Sequence, residues 1–334
     1  MAPAVPIDSW ERRAREATEE LTPLRVVRAE RVAQDVQLFE LAHPAGGELP
    51  EFTPGAHILV RTPSELIRRY SLTNAPQERD RYVIAVKRET NGRGGSVSLV
   101  DQTKPGDMLE ASVPRNDFAL GGNPASYMFI AGGIGITPIR SMIHHLRNTG
   151  GKPYKLYYLS RTPEMTAFGA EFTAQAYRGK AVVHYDLGDA EQSLDLWPLL
   201  EKPKGAHLYC CGPRGLMEAV RDMTGHWSSA AVHFEDFGAG QATRTVDDKA
   251  FAVRLVRRGD VIEIPADKSM LETLRAHGCE IRSSCESGTC GSCRVGLIQG
   301  EPDHRDLVLS DDQRRREVIV CVSRAHSPEL TLDL

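Results

Sequence analysis

The 334-residue sequence predicts a multidomain chain that joins α+β and α/β architecture in three consecutive parts. These are an antiparallel β-barrel, a parallel-sheet α/β domain and a C-terminal α+β domain. Residues 24–122 run as short alternating apolar segments broken by proline and glycine, the pattern of a closed or nearly closed antiparallel barrel. Residues 123–237 alternate strand with helix, the pattern of a parallel sheet with crossover helices. Residues 250–334 hold Cys285, Cys290, Cys293 and Cys321, with Gly288 and Gly291 among the first three. Residues 1–23 precede the barrel as an N-terminal extension, and 238–249 form a linker rich in Gly, Ala and Thr.

Bulk properties remove several classes of function. A hydrophobic content of 41%, a charged content of 26% and a net charge of −4 exclude a fibrous or disordered chain and give no basic footprint for nucleic acid. No apolar run reaches the length of a membrane span, and Met1 to Arg13 lack an apolar signal run, so a cytoplasmic protein free of the membrane is expected. In a reducing compartment Cys210, Cys211 and Cys279 are expected as free thiols.

Within the barrel the strand candidates are Leu24–Arg28, Val36–Leu41, His57–Val60 and Tyr82–Lys87. Arg68-Arg69-Tyr70-Ser71 sets cations and hydroxyls beside an aromatic ring, suited to a phosphate and a flat heterocycle. Gly92-Arg93-Gly94-Gly95-Ser96 follows a strand and opens a helix, so its amides and Ser96 could cradle the same phosphate. Taken singly, an arginine pair is usually a solvated edge and a glycine cluster a hairpin turn.

In the second domain, the strand Tyr127–Ala131 runs into Gly132-Gly133-Ile134-Gly135-Ile136-Thr137-Pro138, with Thr137 as expected cap and Pro138 at the first helical position. Ile139, Met142, Ile143 and Leu146 then recur at core-facing spacing. The glycines would let a dinucleotide pyrophosphate approach the positive end of that helix, although Pro138 stands where the usual fingerprint has its third glycine. The next strand ends at Ser160-Arg161, with no acid to select a free ribose hydroxyl, which leaves NAD against NADP open. A further strand, His207–Cys211, leads into Gly212-Pro213 and places Cys211 at a carboxyl end, where parallel sheets bind ligands.

The last domain is expected to have strands near 250–257 and 261–264, a helix from Ser269 to about His277, a short helix after Ser310 and a strand ending at Cys321. Four residues, then two, then a long gap to a last Cys is the plant-type spacing of a two-iron, two-sulfur cluster. The glycines would let backbone amides turn toward the sulfurs. A four-Cys zinc site more often uses two short cysteine pairs.

These parts in this order resemble the phthalate dioxygenase reductase family of oxygenase reductases. The resemblance rests on Arg68–Leu72, Gly92–Ser96, Gly132–Pro138, Tyr209–Pro213, Met223–Trp227, His233–Phe237 and the stretch from Ser284 to Cys293. It implies an FMN barrel, an NADH domain and a C-terminal β-grasp ferredoxin domain. FMN would be held by Arg68, Arg69, Tyr70 and Ser71, lined by Ala85, Val86 and Lys87, with Arg93, Gly94, Gly95 and Ser96 on its phosphate and Thr137 and Phe237 at the ring. NADH would meet Gly132, Gly133, Gly135, Thr137, Pro138, Ser160, Arg161, Cys211, Gly212 and Pro213. Cys285, Cys290, Cys293 and Cys321 would hold the cluster. No acid–base catalytic residue is implied, and His144, His145 and His226 are expected as surface residues.

The implied activity is NADH-dependent reduction of FMN, then single-electron transfer through the cluster to the Rieske centre of a separate aromatic-ring (phthalate) dioxygenase, by a monomer. Two alternatives stand beside it: a reductase for a monooxygenase or O-demethylase, and a flavin reductase whose last domain is a zinc-stabilised interaction module.

Overall fold

A computed structural model describes residues 21–92, 94–237, 247–283 and 285–334. The N-terminal extension to residue 20, Arg93, linker residues 238–246 and Ser284 lie outside the described residues. The chain divides into two compact units, one ending at Glu235 and the other starting at Asp236.

In the first unit, strands β1 (Thr22–Ala33), β2 (Val36–Ala42), β3 (His57–Arg61), β4 (Ile67–Ser71), β5 (Tyr82–Lys87) and β6 (Met108–Ala111) form one antiparallel sheet in the order β4–β3–β6–β1–β2–β5. Its two edge strands meet through an antiparallel Leu72–Ile84 bridge, and Thr73 N donates to Val83 O at 2.9 Å. The sheet therefore closes on itself, which removes the exposed edges an open sheet would present. Alternate side chains point inward: Leu24 and Val26 from β1, Ile58 and Val60 from β3, and Ile84 and Val86 from β5 are buried in one core with Leu99 of helix α1 (Gly95–Gln102).

The same unit continues as a five-stranded sheet of β7 (Ser126–Gly132), β8 (Tyr154–Ser160), β9 (Ala181–Tyr185), β10 (Ala206–Cys211) and β11 (Val232–Glu235), ordered β11–β10–β7–β8–β9. Every pairing in it is parallel. Helix α2 (Ile136–Asn148) follows β7 and buries Ile139, Met142, Ile143 and Leu146, the face read from sequence. Helices α3 (Gly169–Thr173), α4 (Trp197–Leu200) and α5 (Arg214–Met223) complete the connections. From β7 the chain steps to β8 and β9 on one side, then returns to β10 on the other. The carboxyl ends of β7 and β10 thus flank the point where strand order reverses, the usual ligand crevice of such sheets.

A half-buried polar knot joins the barrel to the α/β part. Arg140 of α2 donates from Nη1 to Thr73 O at 3.0 Å and from Nε to Glu171 Oε2 at 2.7 Å. Tyr177 Oη donates to Glu171 Oε1 at 2.8 Å, and His144 Nε2 lies 2.6 Å from the same oxygen. His144 is therefore a half-buried partner of Glu171 and not the free surface residue expected. Burial alone would raise the Glu171 carboxyl, but His144 and Arg140 overcome it and hold the group at about 2, below its ordinary 4.5. The folded pKa is the depressed one, so the stabilisation is fully present above pH 4.5 and is lost as pH falls toward 2. Thermal melts across that window are expected to show a steeper loss for the parent than for Glu171→Gln, with the variant less stable at neutral pH.

In the second unit, β12 (Phe251–Leu255), β13 (Val261–Ile264), β14 (Arg294–Gln299), β16 (Glu317–Ile319) and β18 (Glu329–Leu332) form a mixed sheet in the order β13–β12–β18–β14–β16. A two-stranded ribbon of β15 (Pro302–Asp303) and β17 (Arg324–Ala325) stands beside it. Its first and last strands, β12 and β18, pair in parallel, and the sheet packs on helix α6 (Met270–Ala276) through Val253, Ile264, Met270 and Leu274. This is the expected β-grasp. The helix starts at a full capping box, in which Ser269 Oγ accepts from Glu272 N and Glu272 answers at Ser269 N. Ser269→Ala is expected to cost about 1 kcal/mol, read from urea unfolding of the full chain. Ser310 caps α7 (Asp311–Arg314) in the same way, and β16 ends at Ile319, so Cys321 lies in the turn beyond the strand, where the sequence reading had placed the strand's end.

Candidate functional site

Pairing of β4 with β3 sets Arg68 opposite Val60 and Tyr70 opposite Ile58, so Arg68 and Tyr70 share one face of the strand and Arg69 and Ser71 the other. Arg68 lies across the start of α1: a Cβ on Gly95 would stand 2.8 Å from Arg68 Nε. Gly94 precedes the helix with φ of 84°, a left-handed conformation that glycine adopts without steric cost, and no side chain caps the helix. The first amides of α1 and the Arg68 guanidinium therefore converge on one place. Ser96 Oγ accepts from Glu89 N at 3.1 Å and pins the preceding loop against the helix.

The Tyr70 hydroxyl is buried with no hydrogen-bond partner among the described residues, and burial pushes its pKa up to about 12. It is a neutral donor awaiting an acceptor. Arg69 reaches Asp117 at 3.5 Å, and Lys87 is ion-paired with Glu89. Ala85 packs toward the α/β part, whereas Val86 fills the barrel core, so only the backbone of Val86 could border a ligand.

At the second location, β7 ends at Gly132, a single 3₁₀ turn covers Gly133–Gly135, and α2 begins at Ile136 with Gly135 as its N-cap. The helix thus starts earlier than the expected cap at Thr137. Thr137 instead donates from Oγ1 to Ile134 O at 3.0 Å, and Pro138 sits within the first turn, where a missing N–H leaves no intrahelical bond unmade. The glycines here are required by contact. A Cβ on Gly135 would lie 2.1 Å from Cys211 O, and one on Gly212 would lie 2.9 Å from Gly132 Cα. The tips of β7 and β10 approach backbone to backbone.

Gly132, Gly133, Gly135, Thr137, Pro138, Cys211, Gly212 and Pro213 are thereby gathered at the carboxyl ends of two neighbouring strands. Ser160 is buried at the end of β8, one strand over, and Arg161 beside it is exposed. Glu235 ends β11 directly opposite Cys211 in the ladder and is buried, a position the sequence reading passed over. Its signal was an acid at the carboxyl end of the closing strand, after Phe234. Phe237 belongs to the second unit and is 41% exposed.

The cysteine loop follows α6. Gly288 has φ of 80°, and a Cβ there would stand 2.8 Å from Val322 Cγ2, so only glycine fits the turn. Cys285 Sγ accepts from Ser287 N at 3.5 Å and from Cys290 N at 3.3 Å. The thiols stand in twos, Cys285 with Cys290 and Cys293 with Cys321. The Cys285 thiol is pulled down to about 4, first by the hydrogen bond from Cys290 and then by donors at Thr289 and Ser287. Cys293 is lowered in the same sense by its bond with Cys321. The same bonds raise the partner thiols Cys290 and Cys321, so each pair shares one proton, and two such pairs match a two-iron group in which each iron takes two cysteine sulfurs. Among the described residues Cys210, Cys211 and Cys279 form no disulfide. Among the described residues no helix is long and apolar enough to cross a membrane.

Comparison with known proteins follows the same division. Residues 23–119 match the oxidoreductase FAD-binding domain, residues 129–222 the oxidoreductase NAD-binding domain, and residues 253–326 the 2Fe-2S iron-sulfur cluster binding domain. A phthalate 4,5-dioxygenase oxygenase reductase subunit of Pseudomonas putida is 51% identical over 94% of this chain and 97% of its own. Phthalate dioxygenase reductase of Burkholderia cepacia is 52% identical over 93% of this chain and 97% of its own. Among solved structures, a phthalate dioxygenase reductase, described as a modular structure for electron transfer from pyridine nucleotides to 2Fe-2S, superposes with a TM-score of 0.68. It is 50% identical and covers 95% of this chain and 99% of its own.

Proposed function

The chain belongs to the phthalate dioxygenase reductase family, and from that premise we propose that it is the NADH-dependent reductase component of an aromatic-ring dioxygenase system in aromatic hydrocarbon catabolism. It acts as a cytoplasmic monomer and delivers electrons to the Rieske centre of a separate oxygenase acting on phthalate or a close relative. The observation that carries this reading is the pairing of four thiols, two and two, in a chain whose other unit presents two anion-receptive glycine turns.

When bound, NADH supplies a hydride, a flavin converts that electron pair to single electrons, and a 2Fe-2S cluster relays them. The rest is positioning by this chain. Arg68 and the amides of Gly94, Gly95 and Ser96 would take the flavin phosphate, whereas Arg69 lies on the opposite face of β4 beside Asp117, and the short loop into α1 suits FMN. Tyr70 Oη would donate to the flavin, and Ser71 and the strand Ala85–Lys87 would border it. Gly132, Gly133 and Gly135 let the NADH pyrophosphate come against the start of α2, where the helix dipole favours anions. Thr137, Pro138, Ser160, Arg161, Cys211, Gly212 and Pro213 line the remainder, with the buried Glu235 beside Cys211. Cys285, Cys290, Cys293 and Cys321 hold the cluster, and the inward amides of Ser287 and Cys290 stabilise charge on the sulfurs.

The test is a visible spectrum of the purified protein before and after anaerobic NADH, with the released flavin identified by chromatography and the metal by elemental analysis. Bleaching of both flavin and iron–sulfur bands with release of FMN is expected. A flavin band alone, with zinc as the metal, would overturn the reading of the cysteines.

A further inference from the structure

We propose that Arg275 is the positioning residue of the cysteine loop: it holds the chain on both sides of Cys285 in ligating shape and, paired with Glu286, sets the charge beside that thiol. The inference rests on the iron–sulfur reading of the four cysteines and concerns a residue ten positions before them, on the last turn of α6.

The side chain of Arg275 is 5% exposed, and all three guanidinium nitrogens are bonded. Nε and Nη2 donate to Ile281 O at 3.2 and 2.7 Å, and Nη2 also donates to Ser283 Oγ at 2.5 Å. Nη1 donates to Glu286 Oε1 at 3.0 Å, and Ser283 Oγ donates to the same oxygen at 2.5 Å. One planar fork thus ties together the segment from Ile281 to Glu286, which brackets Cys285. A lysine could supply the charge but not the fork.

Glu286 has a reason to need tethering. Its φ is 52°, in the left-handed region that a residue with a Cβ enters only against steric resistance. The chain reversal at Glu286 is what aims the Ser287 and Cys290 amides at Cys285 Sγ. A backbone held off its preferred conformation persists only where surrounding contacts determine it, and here the contact is the carboxylate on Arg275. The pairing is reciprocal: a guanidinium this buried requires a counter-charge, and Glu286 is the carboxylate that meets it.

The experiment uses full-length holoprotein with Arg275→Lys, Arg275→Gln and Glu286→Gln. Melting temperatures are measured first, and all further readings are taken well below them. Iron loss to a ferrous chelator, the electron paramagnetic resonance spectrum of the reduced protein and the cluster reduction potential are then compared with the parent. Arg275→Gln is expected to lose iron roughly tenfold faster, as for other partners of metal ligands, with altered g values. Glu286→Gln leaves the buried cation uncompensated and is expected to raise the reduction potential. Arg275→Lys is expected to keep the parental potential but lose iron at an intermediate rate. Folded variants with parental iron loss, spectrum and potential would overturn the assignment, since a merely structural residue moves only the melt. A parent purified without iron would overturn the cysteine reading and this inference with it, whereas an iron-replete parent with unchanged variants overturns this inference alone.

Discussion

Replacing Cys293 with serine is expected to abolish electron delivery to one-electron protein acceptors while NADH oxidation by small acceptors that draw on the flavin continues. Cys293 is 2% exposed and its thiol faces that of Cys321, so it is one half of a ligand pair shielded from water. Its hydrogen bond with Cys321 already favours the thiolate, and the thiolate is the ligand. Serine keeps the size but not the ionisable sulfur, and a hydroxyl stays protonated where the thiol would not. Losing an outer partner of a metal ligand costs 10–100-fold, so loss of a ligand itself should exceed about a hundredfold. The residues assigned to flavin and NADH lie almost wholly in the other unit and should be untouched. Cytochrome c reduction measured against ferricyanide reduction, both driven by NADH, separates the two halves. Undiminished delivery to the oxygenase in this variant would defeat the proposed electron route.

What the sequence made legible was chemistry bound to local spacing. The four cysteines could be assigned because three fall in one tight loop and a left-handed turn at Gly288 is a local requirement. The face of α2 was legible because Ile139, Met142, Ile143 and Leu146 repeat at helical spacing. Strand β9 was missed because Ala181–Tyr185 is half-buried throughout and shows no alternation, and β18 because it is a short strand near the chain end. The start of α2 was displaced because a capping hydroxyl is the usual signal, whereas here Gly135 takes the position to make room for Cys211. That reason exists only once β7 and β10 are side by side. Arg275 was illegible for the same kind of cause. On the helix it reads as an ordinary last-turn cation, and only tertiary closure turns it onto Ile281, Ser283 and Glu286. His144 was read as a surface residue because its partner Glu171 is distant in sequence.

Gly135→Ala is expected to slow NADH-driven flavin reduction about a hundredfold, equivalent to roughly 2.7 kcal/mol, while leaving flavin content and the iron–sulfur spectrum intact. Backbone freedom is not the cause, since φ of Gly135 is −61°, accessible to any residue. Crowding is. The added Cβ would stand 2.1 Å from Cys211 O, 2.4 Å from Cys211 C and 2.8 Å from Gly212 N, and these are backbone atoms that cannot swing away. Relief requires the end of β10 to retreat from β7, at a cost in the 1–3 kcal/mol range of overpacking or beyond it. That retreat moves Cys211, Gly212 and Pro213 together and opens the strand-order reversal where NADH is proposed to lie. Gly150→Ala provides the contrast. Gly150 has φ of 63° and nothing within 4 Å of an added Cβ, so it carries left-handed strain without crowding and should reduce stability but not the rate. Stopped-flow reduction by NADH, set against dithionite reduction of the same samples, distinguishes a lost nicotinamide site from a lost flavin. If Gly135→Ala is reduced by NADH at the parental rate, the crevice between β7 and β10 is not where the nicotinamide binds, because no arrangement of these strands holds both that Cβ and the present approach of Cys211.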